Sequence, residues 1–403
     1  MSGQRRQPAG RRKVTAKQRR KRKLIIFLIE VILVLLLLAG IYIWQMLRKI
    51  DHPEGGSLDE DKVSININKE TKEMLKGYTN IALFGLDNRS NGSYSSGNSD
   101  CIMVASINND TKEVKIISLY RDTYLAVDED DDRADSFIYS KVNSAYGRGG
   151  AENAVKALNR NLDLDIVQYA CVDFNALTEV VDLLGGIDLD VPLTDEEAMY
   201  MNGASGKENY ISTIQEVTGK TSNYVTGGQS HLDGVQATAY CRIRYTAGDD
   251  FKRTERQRTI LAKMIEKAKT SDLLTLNKIV DAVFEDIETS LTSMEILGLA
   301  SGMMDYELVD THGFPFELTT GSYGSKGDLV VAADLETNVS ELHEYLFGTK
   351  DYVPTKVVQG ISQKVKNDTG VTAESAVRMD NPLTVIGDEE DSESSASDDK
   401  NSK

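Results

Sequence analysis

Arginine stands beside aspartate in three separate segments of this 403-residue chain. The first is Leu86-Asp87-Asn88-Arg89, followed by a Gly/Ser/Asn-rich stretch that ends at Ser99-Asp100. The second is Tyr120-Arg121-Asp122-Thr123. The third is Tyr240-Cys241-Arg242-Ile243-Arg244, continued by a basic and acidic run that holds Asp249, Asp250, Arg253, Arg256 and Gln257. A guanidinium is always charged and offers a planar fork to phosphate oxygens. Several converging near strand ends would form a receptor for phosphate. A diphosphate with Mg2+ needs this mixture, with arginines for the non-bridging oxygens and one or two carboxylates for the metal. Arg242 and Arg244 share a face if their segment is extended. In the helix expected next, Asp250, Arg253, Arg256 and Gln257 fall at i, i+3, i+6 and i+7 and read as one continuous face. Taken singly, each piece has a plainer reading as a solvated, salt-bridged helix face or a turn-forming aspartate. The three segments together carry the argument.

Other chemistries find no support. The four histidines (His52, His231, His312, His343) are widely separated, so spacing shows no histidine metal cluster or triad. There is no Gly-x-Ser-x-Gly elbow. Gly219-Lys220-Thr221 resembles the end of a phosphate-binding loop, but the first glycine of that motif would fall at Ile214. Cys101, Cys171 and Cys241 are too few for a disulfide framework, and each lies in an apolar run that suits a buried thiol.

The elements that must position these residues alternate between strand and helix. Residues 80–86 and 101–107 are short apolar runs of strand length, and Asn109-Asp110 turns the second into a partner strand at 113–119. A helix is expected at 151–161 and a strand around 166–172. Asp173 is placed to cap a following helix that Gly185-Gly186 stops. Residues 187–191 read as a further strand, and 194–228, rich in Gly, Ser, Thr and Asn, as an inserted surface loop. Helical spacing returns at 251–269. Thr292 and Glu295 make a capping-box pattern, and a strand at 330–332 and a helix at 335–347 close the domain. The alternation predicts an α/β fold, an αβα sandwich with a central mixed sheet.

Before that domain lies an apolar run at 24–47, long enough to span a hydrocarbon core and longer than the apolar part of a cleavable signal. Residues 1–23 hold eleven Lys or Arg and no acid, which predicts a cytoplasmic N-terminus and an extracytoplasmic chain after residue 50. Attraction of that basic arm to anionic membrane lipid adds to the anchoring. The whole chain has a formal net charge of −17, and the part after the arm is more acidic still, which argues against a nucleic-acid partner. The expected organisation is a basic arm (1–23), a transmembrane signal anchor (24–47), a stalk (48–77), a catalytic domain (78–348), an extension (349–387) and an acidic tail (388–403). The tail is almost wholly Asp, Glu, Ser, Asn and Lys and is expected to be disordered.

The motifs also occur in a telling order. Gly85-Leu86-Asp87 and Ser99-Asp100 are followed by Ser118-Leu119-Tyr120-Arg121-Asp122-Thr123 and Lys141-Val142-Asn143-Ser144-Ala145-Tyr146-Gly147. Then come Gly185-Gly186-Ile187-Asp188-Leu189-Asp190-Val191-Pro192, Leu232-Asp233-Gly234, Arg242-Ile243-Arg244 and Asp250-Phe251-Lys252-Arg253 through Arg256-Gln257. This order resembles the LytR-CpsA-Psr family of Gram-positive envelope proteins over about 78–270. The resemblance implies transfer of a phosphorylated glycopolymer, such as a teichoic acid or capsule, from a polyprenyl pyrophosphate carrier to peptidoglycan. It implies that Arg89, Arg121, Arg242, Arg244, Arg253, Arg256 and Gln257 hold phosphates, and that Asp87 and Asp100 position Mg2+ (or Mn2+). Asp122 or Asp250 would order the arginines, and Asp87, Asp100, Arg121 and Asp122 form the expected catalytic set. Two other functions share these residues: hydrolysis of the pyrophosphate alone, or a non-catalytic envelope receptor. Two positions depart from the family pattern, Tyr120 where proline is frequent and Asn98 where arginine or glycine is usual. Cys101 and Cys241 directly flank Asp100 and Arg242, so neighbouring strands would bring two thiols together.

Overall fold

In the computed structural model, period-two alternation of apolar residues builds a six-stranded mixed sheet. The structure describes residues 58–378, except 59, 64–66, 68, 88–96, 131–135, 204–205, 207, 245–248, 273, 277, 280–286, 293–294, 297 and 300–301. Arg89, the apolar run at 24–47 and the acidic tail lie outside the described residues. Among those described, no helix is long and apolar enough to cross a membrane.

The strands are β1 (Tyr78–Leu86), β2 (Ser99–Asn108), β3 (Glu113–Leu119), β4 (Tyr124–Glu129), β5 (Phe137–Lys141), β6 (Gln168–Val172), β7 (Ile187–Asp188), β8 (His231–Leu232), β9 (Ile287–Thr289), β10 (Glu307–Phe314), β11 (Glu317–Ser322), β12 (Asp328–Ala332) and β13 (Val377–Arg378). The labelled helices are α1 (Glu60–Val63), α2 (Lys69–Leu75), α3 (Ser144–Leu162), α4 (Phe174–Leu183), α5 (Asp195–Met201), α6 (Tyr210–Thr218), α7 (Gly234–Tyr240), α8 (Asp249–Thr270), α9 (Leu335–Phe347) and α10 (Lys356–Thr369). The main sheet runs β10-β3-β2-β1-β6-β9. β1 pairs antiparallel with β2 and parallel with β6, and β3 pairs parallel with β10, so the sheet is mixed as the alternation of elements predicts. The hairpin turning at Asn109-Asp110 joins β2 and β3, with Val104 opposite Ile117.

Each central strand sends alternate side chains to opposite faces. Ala82, Phe84, Ile102, Val104, Tyr169 and Cys171 join α3, α9 and α10 in the larger core. The intervening residues Leu83, Gly85, Cys101, Met103, Ala170 and Val172 face α4 and α8. A second core lies beyond, made by α4 to α8 around Val181, Ile211, Ile214, Leu232, Ile243 and Ile260, and it contains no residue of the main sheet. The two cores therefore do not merge on that face, and a cavity separates them.

Several expected elements form as read. Asp173 caps α4, its carboxylate accepting from the Ala176 N–H at 3.0 Å. The Thr292–Glu295 capping box closes in both directions, and α9 spans the expected 335–347. Two expectations are corrected. The strand at 187–191 shrinks to Ile187–Asp188, because its partner among the described residues is the equally short β8. The stretch 194–228 is not a plain surface loop but carries α5 and α6. Thr194 and Glu197 form a capping box, Asn209 caps α6, and Met201, Tyr210, Ile211 and Ile214 are buried. Close packing of α7 on α4 depends on Gly234, where a Cβ would meet the Thr178 carbonyl oxygen at 2.1 Å.

Candidate functional site

The ends of β1 and β2, the Tyr120–Thr123 turn after β3, the turn after α7 and the first turns of α8 converge on one charged cluster. Arg121, delivered by the end of β3, donates from Nη1 to Asp100 Oδ1 at 2.5 Å. Its Nε lies 3.5 Å from Asp250 and 3.7 Å from Asp122. Arg253, one helical turn after Asp250, reaches the same carboxylate at 2.8 Å and also donates to the Asp100 carbonyl oxygen at 3.3 Å. Arg244 stands 3.9 Å from Asp250. Arg242 bonds Asp87 at 3.2 Å and Glu208 at 3.4 Å, with its guanidinium set against the rings of Phe174 and Tyr210. Asp250 thus stands within 4 Å of three arginines, Arg121, Arg244 and Arg253. Asp122 is shared between Arg121 and Lys141, the latter at 3.3 Å.

Burial makes this cluster unusual. Four guanidinium nitrogens, Nε of Arg121, Nη1 of Arg242, Nη2 of Arg244 and Nε of Arg253, are buried without a hydrogen-bond acceptor among the described residues. A buried donor left unsatisfied costs roughly 1–3 kcal/mol, and more when charged. Four such donors in one cluster describe a receptor for an anion with several oxygens. Asp100, Asp250 and Asp122 together keep Arg121 protonated, raising its pKa against the opposing effect of burial.

The arginine cluster borders a cavity of about 480 Å3. Asp87, Asp100, Arg242, Arg244, Arg253 and Gln257 line it on the charged side, and Leu83, Met103, Val180, Leu261 and Met264 are among its apolar walls. Gly85 sits so close to the next strand that a Cβ would come 2.7 Å from Cys101 Cβ. Apolar depth beside a cationic cluster suits an amphiphile with a phosphorylated head.

Arg256 is the sequence-predicted residue that does not join the cluster. It is buried, yet its Nε and Nη2 donate to Glu197 Oε1 at 3.0 and 2.9 Å, and it does not line the cavity. The reason is angular. At about 100° per residue, Asp250, Arg253 and Gln257 lie within roughly 60° on the helix, while Arg256 is about 60° beyond Arg253 and about 100° from Gln257. Gln257 is on the cavity side, though its amide also donates to the Cys241 carbonyl at 3.4 Å. Nor is the Arg242–Arg244 segment a strand; it is a turn that leaves α7.

Sequence reasoning missed Lys141, Glu208, Phe174 and Tyr210. Lys141 stood inside a quoted motif, whereas Glu208 and Tyr210 fall in the supposed loop and had no local signal. Tyr120 has a structural role. Its N–H donates to the Phe314 carbonyl at 3.0 Å, a bond that proline cannot make, and its ring packs on Phe251. Cys101 and Cys241 both line the cavity and are free thiols. Burial pushes the Cys101 thiol up to about 12 against the opposing pull of Arg253, and raises that of Cys241 as well, so both stay protonated and unreactive at neutral pH.

Mixed sheet, separated second core and arginine-bordered cavity together define a class of α/β domain that sets a cationic cluster beside an apolar cavity. The chain belongs to the LytR_cpsA_psr family, whose family model matches residues 44–342. It is 28% identical over 236 residues to the polyisoprenyl-teichoic acid–peptidoglycan teichoic acid transferase TagV of Bacillus subtilis, covering 58% of this chain and 55% of that protein. It is 27% identical over 265 residues to the transferase TagU of Enterococcus faecalis, covering 65% of this chain and 75% of that one. The chain thus spans little more than half the length of TagV. Among solved structures, protein gbs0355 of Streptococcus agalactiae matches with a TM-score of 0.54 at 20% identity, covering 78% of this chain and 95% of that one. The crystal structure of B. subtilis TagV matches at 0.52 with 24% identity, covering 69% and 99%. These likenesses establish the mixed-sheet fold.

Proposed function

We propose that this protein transfers a phosphorylated cell-wall glycopolymer from a polyprenyl pyrophosphate carrier to peptidoglycan. One observation carries the reading: buried arginine donors without acceptors among the described residues, beside a largely apolar cavity of about 480 Å3. The names of the curated relatives, transferases of teichoic acid to peptidoglycan, support it. In this reading the polyprenyl chain enters between the sheet and α8, and the diphosphate lies among Arg121, Arg242, Arg244 and Arg253. An acceptor hydroxyl of peptidoglycan attacks the phosphorus that bears the glycan. The bond from that phosphorus to the bridging oxygen breaks, and polyprenyl phosphate leaves. The arginines stabilise the charge that builds on the departing phosphate. Asp87 or Asp100 takes the hydroxyl proton.

Both carboxylates line the cavity beside the arginines, and their hard oxygen donors fit Mg2+ or Mn2+ completed by substrate phosphates and water. Among the described residues no group of three or more His, Cys, Asp or Glu could hold a metal by itself; a site shared with a diphosphate needs only one or two carboxylates. Bound there, the ion would supply Lewis-acid neutralisation of the diphosphate.

The residues at 24–47 would anchor the chain as a single-pass membrane protein, with the basic arm in the cytoplasm and the catalytic domain outside. Protease added to intact protoplasts should then remove a C-terminal tag; full protection would overturn that topology.

The test of activity is reconstitution of the full chain in lipid nanodiscs with a polyprenyl-pyrophosphoryl glycopolymer and peptidoglycan. The expected products are a new phosphodiester on peptidoglycan and released polyprenyl phosphate. Free polymer phosphate with no peptidoglycan linkage would make the protein a pyrophosphatase instead.

A further inference from the structure

We infer that Glu197, on α5, is a positioning residue for the arginine turn at 241–244 and acts through Arg256. The inference rests on the phosphate-binding reading of that turn.

Glu197 uses both carboxylate oxygens. Oε1 accepts from Nε and Nη2 of Arg256 at 3.0 and 2.9 Å. Oε2 accepts from the N–H and hydroxyl of Thr194 at 3.0 and 3.1 Å, completing the capping box of α5. The pair is well shielded, with side chains 14% and 6% exposed, and Arg256 also lies against the Tyr240 ring. The remaining arm of Arg256, Nη1, donates to the carbonyl of Ile243 at 3.4 Å. Its neighbour Gln257 donates to the carbonyl of Cys241, also at 3.4 Å. Consecutive residues of α8 therefore fasten alternate carbonyls of the turn, and Arg242 and Arg244 are carried between and just after those fastenings.

The physical consequence follows from what α5 contributes. Without the Glu197 carboxylate, Arg256 would lose the charged acceptor of its Nε and Nη2 in a shielded place, which is strongly unfavourable. It would turn toward water, and the Ile243 carbonyl would lose its donor. Arg242 and Arg244 would then be held less tightly, and misplacement of a binding group by about 1 Å can cost on the order of a hundredfold in rate. An element that carries none of the arginine–aspartate motifs thus sets the geometry of two phosphate-binding arginines.

The readout is the ratio of affinities for geranylgeranyl phosphate and geranylgeraniol, measured on the full chain in detergent micelles. The two ligands share the chain and differ only in the phosphate. Glu197→Gln keeps an acceptor for the capping box and removes the charge. It should lower the ratio about tenfold, with geranylgeraniol binding unchanged. In a chain already carrying Arg242→Ala and Arg244→Ala, the same substitution should not change the ratio further. An unchanged ratio in Glu197→Gln, or an equal additional loss in the doubly substituted background, would overturn the inference. If Glu197→Gln loses its cooperative melt, Arg256→Lys gives the same reading, since lysine keeps a charge for Glu197 but cannot also reach the Ile243 carbonyl as a guanidinium fork does. A wild-type chain that binds both ligands equally would bring down the phosphate reading itself, and the inference with it.

Discussion

On the cavity side of α8, Arg253 reaches Asp250 and the Asp100 carbonyl and keeps a buried Nε without an acceptor. On the neighbouring side, Arg256 meets a dedicated carboxylate and a backbone carbonyl. Both side chains are almost fully buried and stand three residues apart on one helix. They differ in the supply of acceptors. Around Arg256 the protein provides them itself, which makes the residue part of the scaffold. Around Arg253 three further arginines share Asp250, Asp122, Asp100 and Asp87, and among the described residues several of their donors keep no acceptor. Buried arginines in general therefore say little about function, whereas several short of acceptors and converging beside a cavity say a good deal.

The contrast can be broken by truncation. Arg256→Ala should destabilise the fold by about 3–5 kcal/mol, because Glu197 is left as a buried carboxylate without its cation. Chemical denaturation of the full chain measures it; a change under about 1 kcal/mol would erase the distinction between the two sides.

A control for the stability measurement comes from a histidine outside both sides of α8. Burial holds His343 down at about 4, and the ring stacks on Tyr352 while Nε2 meets the Leu162 carbonyl oxygen at 3.0 Å. Well above pH 6.5 the ring is neutral folded and unfolded and contributes no pH dependence. Between about 6.5 and 4 the unfolded chain takes up a proton that the folded chain refuses, so stability falls as pH falls, by about 3 kcal/mol from this residue. Denaturation at stepped pH should show that slope, and His343→Gln should flatten it. Arg256→Ala should shift the whole curve down without changing the slope.

Arg253→Ala sharpens the comparison from the other side. It removes the cation that meets Asp250 at 2.8 Å, but Asp250 keeps Arg121 and Arg244 at 3.5 and 3.9 Å. Stability should therefore fall by less than for Arg256→Ala, while affinity for geranylgeranyl phosphate falls roughly ten- to a hundredfold, as for loss of a charged hydrogen bond. A large loss of stability with unchanged binding would place Arg253 in the scaffold beside Arg256. The smallest effect belongs to Glu208, a half-exposed carboxylate beside Arg242. Glu208→Gln should raise phosphate-ligand affinity by a few-fold, since an exposed pair of this kind is worth about 0–1 kcal/mol and competes with the ligand for the same guanidinium. Lower affinity would mean that Glu208 helps to hold the ligand instead.

Much of this arrangement was legible in the residues. The β2–β3 hairpin follows from Asn109-Asp110 between two apolar runs, and Asp100 and Arg121 meet because the hairpin returns the chain to that end of the sheet. The period of Asp250, Arg253 and Gln257 already points three side chains one way. α9 follows from the spacing of Leu335, Val339, Leu342 and Leu346. The stretch at 194–228 misled because its polar composition hides two short helices whose buried residues are few and widely spaced. Arg256 misled because helical spacing gives a direction only within about 60°, and the rotation of α8 against its neighbours decides which cavity or core an edge residue meets.

The sequence by itself determined the strand-end chemistry, the alternation of elements and the family, because those rest on near neighbours and on motif order. Only the tertiary structure decided which arginines keep unsatisfied donors and which are consumed by the scaffold. That depends on carboxylates distant in the chain, Glu197 for Arg256 and Asp87 for Arg242, whose approach is fixed by packing two separate cores around one cavity rather than by any local spacing.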